Sequence, residues 1–402
     1  MKQYIGILVS FFCSEISKTL YFVTIAWLLY QVTGRADFTG LLVSLGFLPS
    51  LLSNIYIGVI VDRFSTKLIA SIALIGNLIA VSLMFASLSL GSLVPIIVFS
   101  IHMFQQLMGT VFRTTLQAHS AKSFPPQQLP KVIAYTNAVT IFGALIGASV
   151  GGWLIRQEWL ILTVSLIIGF YLLAVVTVNF INSSAVTNQD KPKKTSLHRQ
   201  LIDGLHYLIK HPFLFRLFSM TMVGQLVYHT SIGFLSVYTI DHINEQATTY
   251  GWLDATLSVG GGLAGLVGFW WFRKTRQFHT VGSLILTGAG LLILALPSNF
   301  TFPAFIGVSL IGLGTTWIRV LLQSTQQILT ARAYHGRMSS YRMLINHGSI
   351  VISAPFLGWI ANQYRAANVY AFLLIPVVGA LIIAILPRTL SLLKQAVTQS
   401  LS

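Results

Sequence analysis

Gly58-Val59-Ile60-Val61-Asp62-Arg63-Phe64-Ser65-Thr66-Lys67 stands between two apolar runs, near 38–61 and 68–90. Each run has about the 20 residues that a helix needs to cross a bilayer. The quoted stretch therefore reads as a short charged turn joining two membrane helices. Reading outward from it, runs of the same kind recur near 4–31, 94–119, 131–155, 159–182, 213–240, 250–272, 280–297, 302–329, 338–361 and 367–388. Twelve spans are expected. Composition agrees: 54% of the 402 residues are hydrophobic and 8% charged, where soluble proteins carry about 25% charged residues. A soluble multidomain enzyme is excluded. The 32 glycines and 12% aromatics suit helices packed in lipid. The single cysteine, Cys13, excludes an internal disulfide or a cysteine metal cage. No cleavable signal peptide is expected, since Glu15 and Lys18 interrupt the first run and no small-residue cleavage site follows.

The polar stretch 183–212 divides the chain. It predicts an N-terminal six-helix bundle over 1–182, a basic linker over 183–212 and a C-terminal six-helix bundle with a short tail over 213–402. The linker holds Lys191, Lys193, Lys194 and Arg199, with an amphipathic piece over 197–209. The 25 Lys and Arg against 9 Asp and Glu give a net charge of +16. In a soluble chain that excess would suggest nucleic acid; here its distribution gives topology. Arg35, Arg156 and Arg365 alone fall on the odd-numbered loops, and Lys18, Arg113 and Arg319 lie inside spans. The rest fall on the even-numbered loops and the termini. Positive charge stays cytoplasmic, so both termini are expected inside, with the linker as a topology determinant and a possible contact for anionic lipid.

The two halves also repeat. The spacing Gly58 to Arg63 recurs as Gly268 to Arg273, with Phe272 in place of the aspartate. At an offset of 206, Arg113 and Gln117 map to Arg319 and Gln323, Tyr135 to Tyr341, and Gly152-Trp153 to Gly358-Trp359. Six helices is an even number, so the repeats are parallel, one of the known transporter architectures.

With these residues in view, the chain resembles the major facilitator superfamily over nearly its whole length. The pattern Gly58-x-x-x-Asp62-Arg63-x-x-x-Lys67 matches that family's loop between spans 2 and 3. Gly143, Gly147, Gly151 and Gly152 in span 5 resemble the motif of exporters that exchange substrate for protons, with Ala148 where the family has proline. The region from Phe112 through Gln128 to Asn137 is similar to the drug and siderophore export branch, which includes macrolide and enterobactin exporters. The resemblance implies an all-α integral membrane protein of twelve helices in two parallel six-helix repeats. It also implies a cytoplasmic gate formed by Gly58, Asp62, Arg63 and Lys67, with Arg342 at the start of span 11 as the partner of Asp62. Two plainer readings stand beside it: Asp62 can cap span 3, and glycines four apart let helices pack closely in any membrane protein.

Ionisable and amide groups inside spans give the candidate site, because a charge at the bilayer centre costs about 2.5–3.5 kcal/mol on insertion scales. Glu15 and Lys18 share one face of span 1. His102, Gln106, Arg113 and Gln117 form a stripe on span 4, and Arg319 and Gln323 repeat it on span 10. Gln225 and His229 on span 7 and Asn346 on span 11 add polar groups. Such stripes must face something polar, since lipid cannot satisfy them. In the resembled fold, spans 1, 4, 7 and 10 line the central cavity. Lys18, His102, Gln106, Arg113, Gln117, Gln225, His229, Arg319, Gln323 and Asn346 are therefore the expected substrate-binding residues. Glu15, with Asp254 as second choice, is the expected proton carrier. Each arginine can also serve its own repeat by bonding helix-end carbonyls, and Glu15 and Lys18 can simply neutralise each other.

No GxxxxGK[ST] run or metal-ligand spacing occurs in the sequence. No cofactor, metal, nucleic-acid partner or enzymatic activity is expected. Arginine reads carboxylates through its planar fork, so the expected cargo is a small anionic or zwitterionic molecule of metallophore or siderophore type. The expectation is export by alternating access and proton antiport, by a monomer in the cytoplasmic membrane. A multidrug or macrolide exporter is the nearest alternative and a lipid flippase the alternative of another class.

Overall fold

The computed structural model describes residues 2–89, 94–125, 128–181, 197–297, 300–331 and 334–401. Among them the regular structure is helical throughout. α1 (Lys2–Thr33), α2 (Ala36–Arg63), α3 (Thr66–Ser89), α4 (Pro95–Ser123), α5 (Leu129–Arg156) and α6 (Leu160–Val178) are the first six spans. α8 (Pro212–Asp241), α9 (Ala247–Thr275), α10 (His279–Ala295), α11 (Thr301–Leu329), α12 (His335–Gln363) and α13 (Ala366–Ile385) are the second six. The amphipathic piece of the linker is α7 (Leu197–Lys210), and the tail forms a helix, α14 (Pro387–Leu401). Nine of the described helices are both long and apolar enough to cross a membrane, and α10 is apolar but only 17 residues long. The linker lysines Lys191, Lys193 and Lys194 lie outside the described residues.

Local chemistry explains how such long helices tolerate their polar residues. Hydroxyls return to the carbonyl one turn back, as in Thr24 to Leu20 (2.7 Å), Thr221 to Leu217 (2.7 Å) and Thr315 to Ile311 (2.6 Å). A hydroxyl satisfied within its own helix needs no water. Pro49 sits inside α2, and Ser53 Oγ donates to its carbonyl at 2.5 Å. α1 stops where Gly34 adopts φ +63°, its N–H donating to the Tyr30 carbonyl at 2.8 Å.

The chain separates into two compact units, Met1–Asn188 with Leu235–Ala255, and Gln189–Phe234 with Thr256–Ser402. In unit one, α1 packs on α5, α6 and α2, and α3 packs on α4 and α6. Its core runs through Phe11, Leu20, Tyr21, Leu74, Phe112 and Tyr171. The glycines of α5 set the closeness of this packing. A Cβ at Gly143 would lie 2.9 Å from the Phe12 carbonyl, and one at Gly147 would lie 2.8 Å from that of Ile16. Gly151 lies against Leu20 and Val23, whereas Gly152 turns to α9, with the Gly251 Cα only 2.8 Å from a Cβ built on it. In unit two, α10 packs on α11 and α13, and α12 packs on α13 and α7. α14 closes against α11, α13 and the turn Arg276–Phe278, burying Leu393 and Ala396 completely.

Candidate functional site

Unit one holds an ion cluster halfway along its helices. Arg113 Nη2 on α4 donates to Glu15 Oε2 at 2.6 Å, and Lys18 Nζ donates to Glu15 Oε1 at 3.3 Å. Glu15 is the enclosed member, with its side chain 12% exposed against 41% for Arg113 and 37% for Lys18. The second acid, Asp254, is buried on α9, and Lys18 lies within its electrostatic reach. One lysine thus bonds Glu15 and lies within the field of Asp254. Lys18 and Glu15 meet because three residues of α-helix bring them to one face. Arg113 joins them only through the packing of α4 beside α1.

The α4 stripe does not have one environment. His102 is fully buried, its ring stacked on Tyr21 at 5.9 Å, and a Cβ at Gly46 would lie 2.9 Å from its Nε2. Gln106 is half-buried and Gln117 is exposed. The stripe's unremarked neighbour Gln105 is buried and donates to the Tyr171 hydroxyl at 3.0 Å. Sequence reasoning passed over Gln105 because it lies one residue off the stripe, toward α6.

Unit two holds the counterpart. Arg319 Nη1 on α11 donates to Gln225 Oε1 on α8 at 2.9 Å, and its Nη2 donates to Thr316 Oγ1 at 3.3 Å. The guanidinium carbon sits 4.1 Å from the centre of the Tyr228 ring, a cation–π distance. Arg319 Nε is buried without a hydrogen-bond partner. Glu15 and Gln225 are related by the offset of 210 residues that also relates Gly58 to Gly268. The same contact is therefore made twice, by a carboxylate in unit one and by a neutral amide in unit two. Arg113 has an acid bonded to it, which it shares with Lys18; among the described residues, Arg319 is held by an amide, a hydroxyl and a ring, with no acid bonded to it. Thr316 was legible three residues before Arg319 on the same helix face. Tyr228 was not, because its contact crosses from α8 to α11.

The remaining polar candidates lie elsewhere in unit two. His229 packs edge-on to Tyr228 at 5.0 Å, and Gln323 is exposed one turn beyond Arg319. Asn346 is buried, with both amide atoms unpartnered, one turn from the buried Arg342 on α12. Arg342 Nη2 donates to Ser339 Oγ at 3.4 Å. Of the gate residues, Lys67 Nζ donates to the Asn179 carbonyl at the end of α6, at 3.0 Å. It thus caps the negative end of that helix. The backbone of Gly58, Asp62 and Arg63 lies in the last turns of α2, and their side chains lie outside the described residues. A cavity of about 880 Å³ opens in unit one where α1, α5 and α8 end, lined by Trp27, Gln31, Arg156, Glu158 and Asp241 among others. None of the expected substrate-binding, proton-carrying or gate residues lines it.

Comparison with known proteins bears on what such a pair of sites serves. The profile of the Major Facilitator Superfamily matches residues 7–353. Macrolide efflux protein A of Streptococcus pyogenes is 23% identical over 367 residues, covering 89% of this chain and 87% of that protein. Among solved structures, the nucleoside transporter NupG superposes with a TM-score of 0.72 at 14% identity, covering 96% of this chain and 98% of that one. A bacterial homologue of the iron transporter ferroportin, in its inward-facing state, gives a TM-score of 0.71 at 14% identity, covering 96% and 97%. At these identities the structural likeness speaks for the fold alone.

Proposed function

The chain belongs to the major facilitator superfamily, and from that premise we propose that it is a secondary exporter of a small anionic or zwitterionic molecule, driven by proton antiport. It is a multi-pass membrane transporter and not an enzyme. In this reading it works as a monomer in the cytoplasmic membrane with both termini inside, and alternates access between its two six-helix halves. The proposed roles divide by unit. Glu15, with Lys18, Arg113 and Asp254, carries the proton; Arg319, with Gln225 and Tyr228, reads the cargo's negative charge. Asp62 and Arg342 are proposed as the cytoplasmic latch.

One observation carries the cargo reading: Arg113 has a carboxylate partner whereas Arg319 is bonded to an amide and a hydroxyl. A guanidinium held only by neutral groups keeps its charge available, and its planar fork matches a carboxylate. The test is efflux of carboxyfluorescein against efflux of the cation ethidium from loaded cells. Arg319→Gln should weaken handling of the anionic dye about 10–150-fold, as expected for one charge-assisted hydrogen-bonded contact worth about 1.5–3 kcal/mol. Arg319→Lys should restore it in part. Ethidium efflux that is strong in the wild type and unchanged in Arg319→Gln overturns the reading. It would favour the second one, multidrug or macrolide efflux, which the 23% identity to macrolide efflux protein A supports.

A further inference from the structure

α7 belongs to the loop that joins the two halves, yet its residues sort cleanly by face. One face holds the helix to unit two. A Cβ at Gly204 would lie 2.9 Å from the Tyr341 ring and 3.3 Å from the Arg337 Cβ, so α7 lies close against α12 here. Leu208 is 2% exposed. The Tyr207 ring stacks on His211 and on Tyr334, both at 4.0 Å, and its hydroxyl accepts the Ala331 N–H at 3.3 Å. At 3.6 residues per turn, Gly204, Tyr207, Leu208 and His211 span an arc of about 100°.

The opposite arc, about 60° wide by the same geometry, carries Ile202, Leu205 and Ile209, which are 41%, 44% and 59% exposed. A shoulder of this stripe carries exposed His206 and Lys210, with Asp203 beyond them. Over 183–216 the sequence has six Lys and Arg (Lys191, Lys193, Lys194, Arg199, Lys210, Arg216) against two acids (Asp190, Asp203). Only His211 separates α7 from α8, a membrane span. The helix is therefore held beside the start of α8, the seventh span of the twelve-helix family fold. A narrow apolar stripe with Lys210 on its shoulder, next to the end of a span, has the build of a helix lying in a headgroup layer.

We propose that α7 is an interfacial anchor: Ile202, Leu205 and Ile209 sit among the lipids of the adjoining leaflet, and Lys210 on the shoulder of that stripe favours an anionic leaflet. The fixed face of α7 then ties the start of α12, through Tyr341 and Arg337, to the state of the lipid surface. This rests on membrane embedding alone, so it stands or falls independently of cargo and coupling ion.

The experiment uses the full chain with Cys13→Ala and one nitroxide label, at Leu205→Cys or at Asp203→Cys. The protein is reconstituted in phosphatidylcholine, with or without phosphatidylglycerol. Accessibility to oxygen and to an aqueous nickel chelate is read at each site. The oxygen-to-nickel ratio should be several-fold higher at 205 than at 203, and phosphatidylglycerol should widen the gap. Lys210→Gln should cut the phosphatidylglycerol-dependent part about fivefold, each basic residue at an anionic surface being worth about 1 kcal/mol. Equal ratios at 205 and 203 in both lipids overturn the proposal. So does protection of 205 that disappears when 183–196 is deleted, which would make the linker the cover. So does protection that depends on protein density in the membrane, which would make it a second copy.

Discussion

Glu15→Gln removes the one negative group that touches both Arg113 and Lys18. Its two oxygens lie 2.6 and 3.3 Å from the cationic nitrogens. Charge centres about 4 Å apart attract by about 1 kcal/mol in water and by about 4 kcal/mol at an effective dielectric of 20. The two cations are 41% and 37% exposed, which moves each pair toward the lower figure. Once the acid is neutral the cations are also left to repel each other. A loss of about 2–4 kcal/mol follows, in line with the cost of leaving a partly buried charge without its partner. Glu15→Gln/Arg113→Gln should regain the part of that loss due to Arg113 and to its repulsion from Lys18, while Lys18 stays without its carboxylate. Thermal unfolding followed by size-exclusion fluorescence reads the order: wild type, double variant, Glu15→Gln. In proteoliposomes the coupling is read separately. A proton crossing 100 mV contributes about 2.3 kcal/mol, which at tenfold per 1.4 kcal/mol is about 50-fold accumulation. Both variants should bind the anionic dye and lose that accumulation. A Glu15→Gln protein that still responds fully to an imposed gradient refutes Glu15 as the carrier. A double variant less stable than Glu15→Gln refutes the electrostatic account of the cluster.

Asp254→Asn, the change at the second acid near Lys18, should slow gradient-driven transport while leaving its direction and coupling intact; complete uncoupling there would move the carrier from Glu15 to Asp254. Gly312→Val should prevent recovery of folded protein, because a Cβ at Gly312 lies 2.2 Å from the Leu257 carbonyl, whereas Gly109→Ala, with nothing within 4 Å, should melt within a degree or two of wild type. Recovery of Gly312→Val at wild-type yield would show that α9 and α11 can separate there without cost.

Much of the fold was legible along the chain. Span length is set by bilayer thickness, and lipid forbids unsatisfied backbone, so apolar runs of the right length had to become helices. The α4 stripe, the Glu15–Lys18 face and the repeat relating Arg113 to Arg319 are one-dimensional patterns, and periodicity alone exposes them. α14 escaped that reading because its composition is polar; only docking against α11, α13 and Arg276–Phe278 gives its apolar side something to cover.

What each polar residue does was decided in three dimensions. The sequence made Arg113 and Arg319 equivalent and His102 and Gln117 two rungs of one stripe. Packing put Glu15 against the first arginine and Gln225 against the second, buried His102 on Tyr21, and left Gln117 exposed. Periodicity reports which side chains share a face, whereas charge compensation and burial depend on which other helix lies across from that face. The partners are 98 and 94 residues away in the chain. No local pattern encodes such a pairing, because the free energy that selects it is realised only when the helices pack.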